Sequence, residues 1–400
     1  MQINPLSWGL VPQILLGVLL GALVGVTLPG IAVDLGLLGQ LFVGMLKAVA
    51  PLLVMLLVMS AIANKRETPD DGRKTLMTIV LYLFGTVSAA VVALTMSQLF
   101  PQTLALTEVA QGSPPAAVSA VLADVLFKLI DNPLNALITG NFLGCLTWAI
   151  LLGVSFRRAS DSFKSSLQTL ADGVSDIVRY VIKLAPLGIF GLVCVTVATI
   201  GLSALASYAS LAVLLVASML IMALLVNPLL VFAVTRRNPY PIVFRCLQES
   251  GVTAFFTRSS AANIPVNLNL ARKLGISEEL YTVTIPVGAT VNMAGAAITI
   301  TVLTMAAANT LGMEVSLATA LVLCVIAALS ACGASGVPSG SLLLIPLACS
   351  LFGIPLDVSM QVVAVGFIIS VIQDSAETAL NSSSDVVYTY AVDQLGRSHS

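Results

Sequence analysis

Residues 330–341 read Ser330-Ala331-Cys332-Gly333-Ala334-Ser335-Gly336-Val337-Pro338-Ser339-Gly340-Ser341, a small, polar tip set between two apolar arms. The whole interval, 319–351, is two short apolar stretches around that tip, not one continuous span. A second interval, 240–272, has the same plan around Thr257-Arg258-Ser259-Ser260-Ala261-Ala262-Asn263-Ile264-Pro265. Non-helical backbone is tolerated at membrane depth only where it is buried in protein or lines a wet cavity. Each interval therefore reads as a re-entrant hairpin; kinked ordinary spans, or a cytoplasmic loop for the first interval, are the other readings.

The distribution of basic residues favours the hairpins. Lys65, Arg66, Arg73 and Lys74 cluster after the second of eight apolar spans, Arg157, Arg158 and Lys164 after the fourth, and Arg236, Arg237 and Arg245 after the sixth. The loops near Pro29, Gly201 and Gly312 carry no Lys or Arg, and 100–133 carries only Lys128. Cytoplasmic loops concentrate Lys and Arg, so both termini are expected in the cytoplasm. Interval 240–272 then begins and ends inside, and 319–351 begins and ends outside. One hairpin enters from each face, which is weak inverted-repeat symmetry of the kind secondary transporters use. The spans are expected at about 10–28, 36–62, 75–99, 134–156, 172–200, 207–234, 281–309 and 357–391.

Composition agrees. The 400 residues are 58% hydrophobic and 9% charged, against about 25% charged in soluble domains, so the expected class is an all-α integral membrane protein. Its apolar runs are too long for the ~10-residue strands of a membrane barrel. A net charge of -1 offers no basic face for nucleic acid. Met1–Pro5 lacks a basic leader region and the first apolar run is long enough to span, so no cleaved signal is expected. The six cysteines are isolated and read as small buried hydrophobes. The one histidine, His399, lies in the tail, which removes His-dependent nucleophilic catalysis and most transition-metal sites. No enzyme activity and no cofactor are expected.

The last span carries the chemistry. Asp374, Thr378, Asn381 and Asp385 follow 4, 3, 4 spacing and share one helix face, with Glu377 at its edge. An ionised carboxylate at bilayer depth costs several kcal/mol, ~2.5–3.5 on insertion scales, so such groups mark a cation, a proton path or a charged ligand. Beside Asp374, Glu377 is a candidate to stay protonated, because two near carboxylates resist joint ionisation. Span 281–309 is interrupted by Thr290-Val291-Asn292-Met293-Ala294-Gly295-Ala296. There, unwound carbonyls and the Asn292 oxygen would offer hard ligands suited to sodium; close helix packing by small residues is the other reading. Arg258 is either a counter-ion for one of these acids or faces cytoplasmic water. Lys47, Arg179 and Lys183 have no evident acid nearby and are expected to snorkel or meet lipid headgroups.

These motifs, in this order, resemble the dicarboxylate/amino acid:cation symporters, a glutamate-transporter-like family. The markers are Thr257–Ser260, Ile285–Met293, Gly333–Pro338 and Asp374–Asp385, and the likeness covers essentially the whole chain. The resemblance implies the glutamate-transporter-homologue fold, of elevator type, as a homotrimer in a bacterial inner membrane. A scaffold of about 1–70 and 117–205 would hold a transport part of about 71–100 and 206–400. One sodium would be bound by Gly288, Asn292, Asn381 and Asp385. A second would use carbonyls at Thr290, Met293, Ala331, Cys332 and Ala334. Substrate would lie between the tips, at Ser259, Ser260, Met293, Gly336 and Val337, with Asp374 for the α-ammonium and Thr378 and Asn381 completing the pocket.

Two departures matter. The family's Asn-Met-Asp-Gly-Thr is here Asn292-Met293-Ala294-Gly295-Ala296, so fewer coupled ions are expected. Acidic-substrate members place an arginine where Glu377 stands, and a glutamate would repel a substrate carboxylate. The pattern is most similar to the family's bacterial sodium-coupled serine/threonine symporters, in which Glu377 would accept from the substrate hydroxyl. Proton coupling, an acidic substrate, a cation channel and, less well supported, an intramembrane hydrolase at Ser335 remain as rival readings.

Overall fold

The computed structural model describes residues 9–64, 72–106, 127, 129–333 and 339–395. Among them the chain is helical, with no strand. Lys65, Arg66, Lys128 and His399 lie outside the described residues, as does 334–338 of the second hairpin's tip.

Two sets of helices pack separately. The first contains α1 (Leu10–Thr27), α2 (Pro29–Ala63), and, after α3 (Gly72–Leu99) and α4 (Pro133–Thr139), the helices α5 (Phe142–Phe156), α6 (Asp161–Lys183) and α7 (Ala185–Ile200). Here α1 and α2 both lie against α7, and glycine makes the approach possible. A Cβ added at Gly17, Gly21 or Gly25 would stand 2.6–2.9 Å from the carbonyl oxygens of Pro186, Phe190 and Cys194 in turn. Small residues every four positions allow this backbone contact where lipid supplies no hydrophobic drive. Only glycine fits on that stripe.

The second set contains α3, then α8 (Ser203–Ile221), which runs through a π turn at Met222–Val226 into α9 (Asn227–Thr235). The first hairpin follows as α10 (Tyr240–Cys246), a π turn at Leu247–Gly251, α11 (Val252–Thr257) and α12 (Ser260–Lys273). Next come α13 (Glu278–Val291), α14 (Ala294–Thr310) and the second hairpin, with arms α15 (Leu317–Ala331) and α16 (Ile345–Ser350), the latter preceded by a 3-10 turn at Gly340–Leu344. The set closes with α17 (Leu356–Leu395). Every residue of α14 from Ala294 to Ala308 is buried. A helix apolar all round belongs at the centre of a bundle, and α3, α15 and α17 surround it.

Among the described residues, six continuous helical segments are long and apolar enough to cross a membrane, and a seventh is the pair α6 and α7, bent by 50° at Leu184. The remaining expected span, 134–156, is divided. Gly140 adopts φ +68 and ends α4, while the Asn141 side chain caps α5 through the Gly144 amide. Apolar flanks on both sides hide this Gly-Asn stop in the sequence. At 1.5 Å per residue, the 15 residues of α5 reach about 22 Å, less than the ~30 Å hydrocarbon core.

The two sets meet at discrete points. Phe42 of α2 packs edge-on to Phe367 of α17 at 5.3 Å between ring centroids. Gly333 lies so near Val58 that an added Cβ would be 2.7 Å from its Cγ2. A cavity of about 400 Å3 opens between the corner at Asp131–Phe142 and the corner at Pro346–Ser359. Lys47 pairs with Asp357 at the start of α17. That corrects the expectation of no nearby acid for two of the three cations: Lys47 has this partner and Arg179 pairs with Asp176 at 2.6 Å, while Lys183 sits 5.1 Å over the Tyr180 ring. Asp357 is 310 positions from Lys47, beyond any local pattern.

Candidate substrate and cation site

The site forms where α13 stops short of α14. Asn292 and Met293 leave the helical conformation, with ψ 77 and 49, so the backbone groups there need other partners. The last span supplies them: the Asn381 side-chain oxygen accepts from the Gly295 amide at 2.7 Å. Glycine again permits the approach. A Cβ on Gly288 would lie 2.6 Å from Asp385 Oδ1, and one on Gly295 would lie 2.7 Å from the Glu377 carbonyl oxygen.

Asn292 and Asp385 form the heart of this contact, both fully buried. The Asn292 amide nitrogen donates to Asp385 Oδ1 at 2.9 Å, Ser384 Oγ at 2.7 Å and the Asn381 carbonyl at 3.2 Å. Within this contact, Asn292 Oδ1 and Asp385 Oδ2 are buried and accept from no donor among the described residues. A buried polar atom without a partner costs about 1–3 kcal/mol, more when charged. These two hard oxygens face no cation among the described residues, so the arrangement could hold a desolvated monovalent cation. Above them, the Tyr82 hydroxyl of α3 lies 3.1 Å from the Asp385 carbonyl, 3.3 Å from that of Thr284 and 2.8 Å from Thr389 Oγ1. Tyr82 and Ser384 escaped the sequence reading, because a Tyr or Ser in an apolar helix carries no signal of its own.

Of the residues expected to give the carbonyl set, Ala331 and Cys332 lie beside the helix break. Cys332 Sγ lies 3.4 Å from the Val291 carbonyl, which seats the end of α15 beside the break that Thr290 and Met293 flank. Ala331 is buried at that junction. Ala334, Gly336 and Val337 lie outside the described residues.

Asp374 has a partner. Arg258 turns in from the first hairpin and places Nη2 2.6 Å and Nε 2.8 Å from Asp374 Oδ2, while the Ser339 amide is 3.3 Å from Oδ1. The side chains are only 12% and 5% exposed. Of the two readings of Arg258, counter-ion is the one observed. The geometry joins the hairpins: Arg258 and Ser339 both take left-handed backbone, each at φ 52, and Arg258 Nη2 lies 3.5 Å from Ser339 Oγ. Non-glycine residues in that region cost about 1–3 kcal/mol and persist where surrounding contacts hold them, commonly at functional sites.

Other expected residues take more local roles. Ser259 caps α12 by accepting from the Ala262 amide at 3.2 Å, and Ser260 begins that helix. Thr378 donates to its own helix at the Asp374 carbonyl, 2.7 Å away. The Asn381 amide nitrogen reaches Met293 Sδ at 3.5 Å. Glu377 is buried, and its Oε2 accepts from Thr299 Oγ1 at 2.8 Å, Ser341 Oγ at 2.8 Å and Gln373 Nε2 at 2.5 Å. Those three donors were missed, since each is an ordinary residue until the fold converges them.

A family model described as the sodium:dicarboxylate symporter family matches this sequence over residues 10–395.

Proposed function

The chain belongs to the sodium:dicarboxylate symporter family, membrane-spanning transporters rather than enzymes, and from that premise we propose that it imports serine and threonine together with sodium. The observation that carries the choice of substrate is the state of the site's charges. Arg258 is the cation at the site among the described residues, and Asp374 already neutralises it. A substrate side-chain carboxylate would meet the Glu377 carboxylate, whereas a hydroxyl would find an acceptor. Sodium coupling is supported by the unpartnered Asn292 and Asp385 oxygens. The substrate's ammonium group would take the place of the Arg258 guanidinium at Asp374, with Thr378 and Asn381 beside it.

In this reading, α1, α2 and α4–α7 are the scaffold of a homotrimer in a bacterial inner membrane, with both termini cytoplasmic. The remaining helices slide as the transport part. The separate packing of the two sets, joined at points such as Phe42–Phe367 and Lys47–Asp357, supports a moving boundary there.

The test is competition against radiolabelled serine in proteoliposomes. Serine and threonine should compete and aspartate should not, while Glu377→Arg should gain aspartate affinity. If the unaltered protein prefers aspartate, or the variant gains nothing for it, the assignment of Glu377 to the side-chain pocket is wrong.

A further inference from the structure

A buried carboxylate with no cation beside it must be compensated by donors, and Glu377 obtains three from three separate elements. Thr299 comes from the middle of α14, Ser341 from the 3-10 turn of the second hairpin, and Gln373 from one turn earlier in α17. Gln373 Nε2 also reaches Thr299 Oγ1 at 2.9 Å, so the donors brace one another. All three converge on a single oxygen, Oε2. Among the described residues, Oε1 accepts no hydrogen bond. A carboxylate has about four lone-pair sites. With one oxygen saturated and the plane of the group fixed by it, the remaining acceptor is held in one direction.

We infer that Thr299, Ser341 and Gln373 are positioning residues for substrate selection: they lock Glu377 through Oε2 so that Oε1 is the fixed acceptor for a substrate side-chain hydroxyl. The inference rests on the proposed hydroxy amino acid substrate and adds what makes the site discriminate. A flexible glutamate would follow a hydroxyl or turn away from a methyl group with little penalty. A glutamate clamped on one oxygen leaves the other unpaired when alanine binds, and a site built to bond a hydroxyl rejects the analogue that lacks it. Ser341 gives the clamp a second consequence. It belongs to the 3-10 turn at Gly340–Leu344, so the selecting acid of α17 is tied to the second hairpin.

The test uses the full chain in proteoliposomes, comparing KM for radiolabelled serine with the inhibition constant of alanine against it. Ser341→Ala, Thr299→Val and Gln373→Met each remove one donor. In each, KM for serine should rise about tenfold, the loss of roughly one hydrogen bond to a charged acceptor. Alanine inhibition, kcat and the sodium dependence should change less than about twofold. Thr299→Ser, which keeps the hydroxyl, should preserve the wild-type ratio. Parallel weakening of serine and alanine would assign the three residues a merely structural role and overturn the inference, as would an unchanged ratio. Each variant tests a different donor, so any one that folds decides. No serine uptake by the unaltered protein would sink the underlying reading instead, a different result from serine uptake with unmoved selectivity.

Discussion

Replacing Asp385 by Asn removes the charge at the candidate cation site while keeping the size of the side chain. Asp385 Oδ1 accepts from Asn292 at 2.9 Å, and an Asn oxygen can still do so. The change falls on Oδ2, the buried oxygen that has no donor among the described residues. Removing one member of a buried charge pair costs about 3–5 kcal/mol, which at 1.4 kcal/mol per decade is a loss of roughly two to three and a half decades in sodium affinity. The two stability effects have opposite signs. Without sodium the variant should unfold at a higher temperature than the wild type, because an uncompensated buried carboxylate has gone. With sodium at a hundred times its Kd, the wild type should gain about 2.7 kcal/mol and the variant almost nothing. Thermal unfolding of the purified protein, titrated with sodium chloride against choline chloride, reads both effects. A variant that kept the wild-type sodium shift would refute the placement of the ion at Asp385.

Three further outcomes follow from the same geometry. Gly288→Ala would drive a methyl group to within 2.6 Å of Asp385 Oδ1; overpacking of this kind costs about 1–3 kcal/mol, and sodium-dependent uptake should be lost while the protein still assembles in the membrane. Arg258→Gln should lower the unfolding temperature of the substrate-free protein, because Asp374 loses its counter-ion, and should lower KM for serine, because the ammonium no longer competes with a guanidinium. Outside the spans, the side-chain donors of Asn141 and Asn135 hold the Asp131 carboxyl below its usual range. A depressed carboxyl pKa contributes stability that is complete above the unfolded value, about 3.9, and disappears as pH falls toward the folded one. The unfolding temperatures of wild type and Asp131→Asn should therefore differ at pH 6 and converge below about pH 4. Equal separation at both would refute the role of Asp131.

Much of the site was legible because membranes make polarity conspicuous. Asp374, Asn381 and Asp385 stood out as mid-span oxygens on one helix face, and the Asn292–Met293 break was marked by Gly295 and the loss of apolar run. The helix interruptions within 240–272 and 319–351 were legible from their Ser, Gly and Pro residues. The pairing of these parts was not. Arg258 and Asp374 are 116 positions apart, and the sequence allowed water as readily as an acid. Glu377 showed its charge but not its donors, since Thr299, Ser341 and Gln373 meet only when α14, the second hairpin and α17 pack together. The division of 134–156 was hidden for a different reason. Gly140 is tolerated within apolar helices, and only its left-handed backbone marks it as a stop.

The most direct test is uptake of radiolabelled serine into proteoliposomes under an inward sodium gradient, with potassium replacing sodium in a parallel sample. The account predicts accumulation above the external concentration with sodium and none with potassium. Equal accumulation in both would contradict sodium coupling at Asn292 and Asp385.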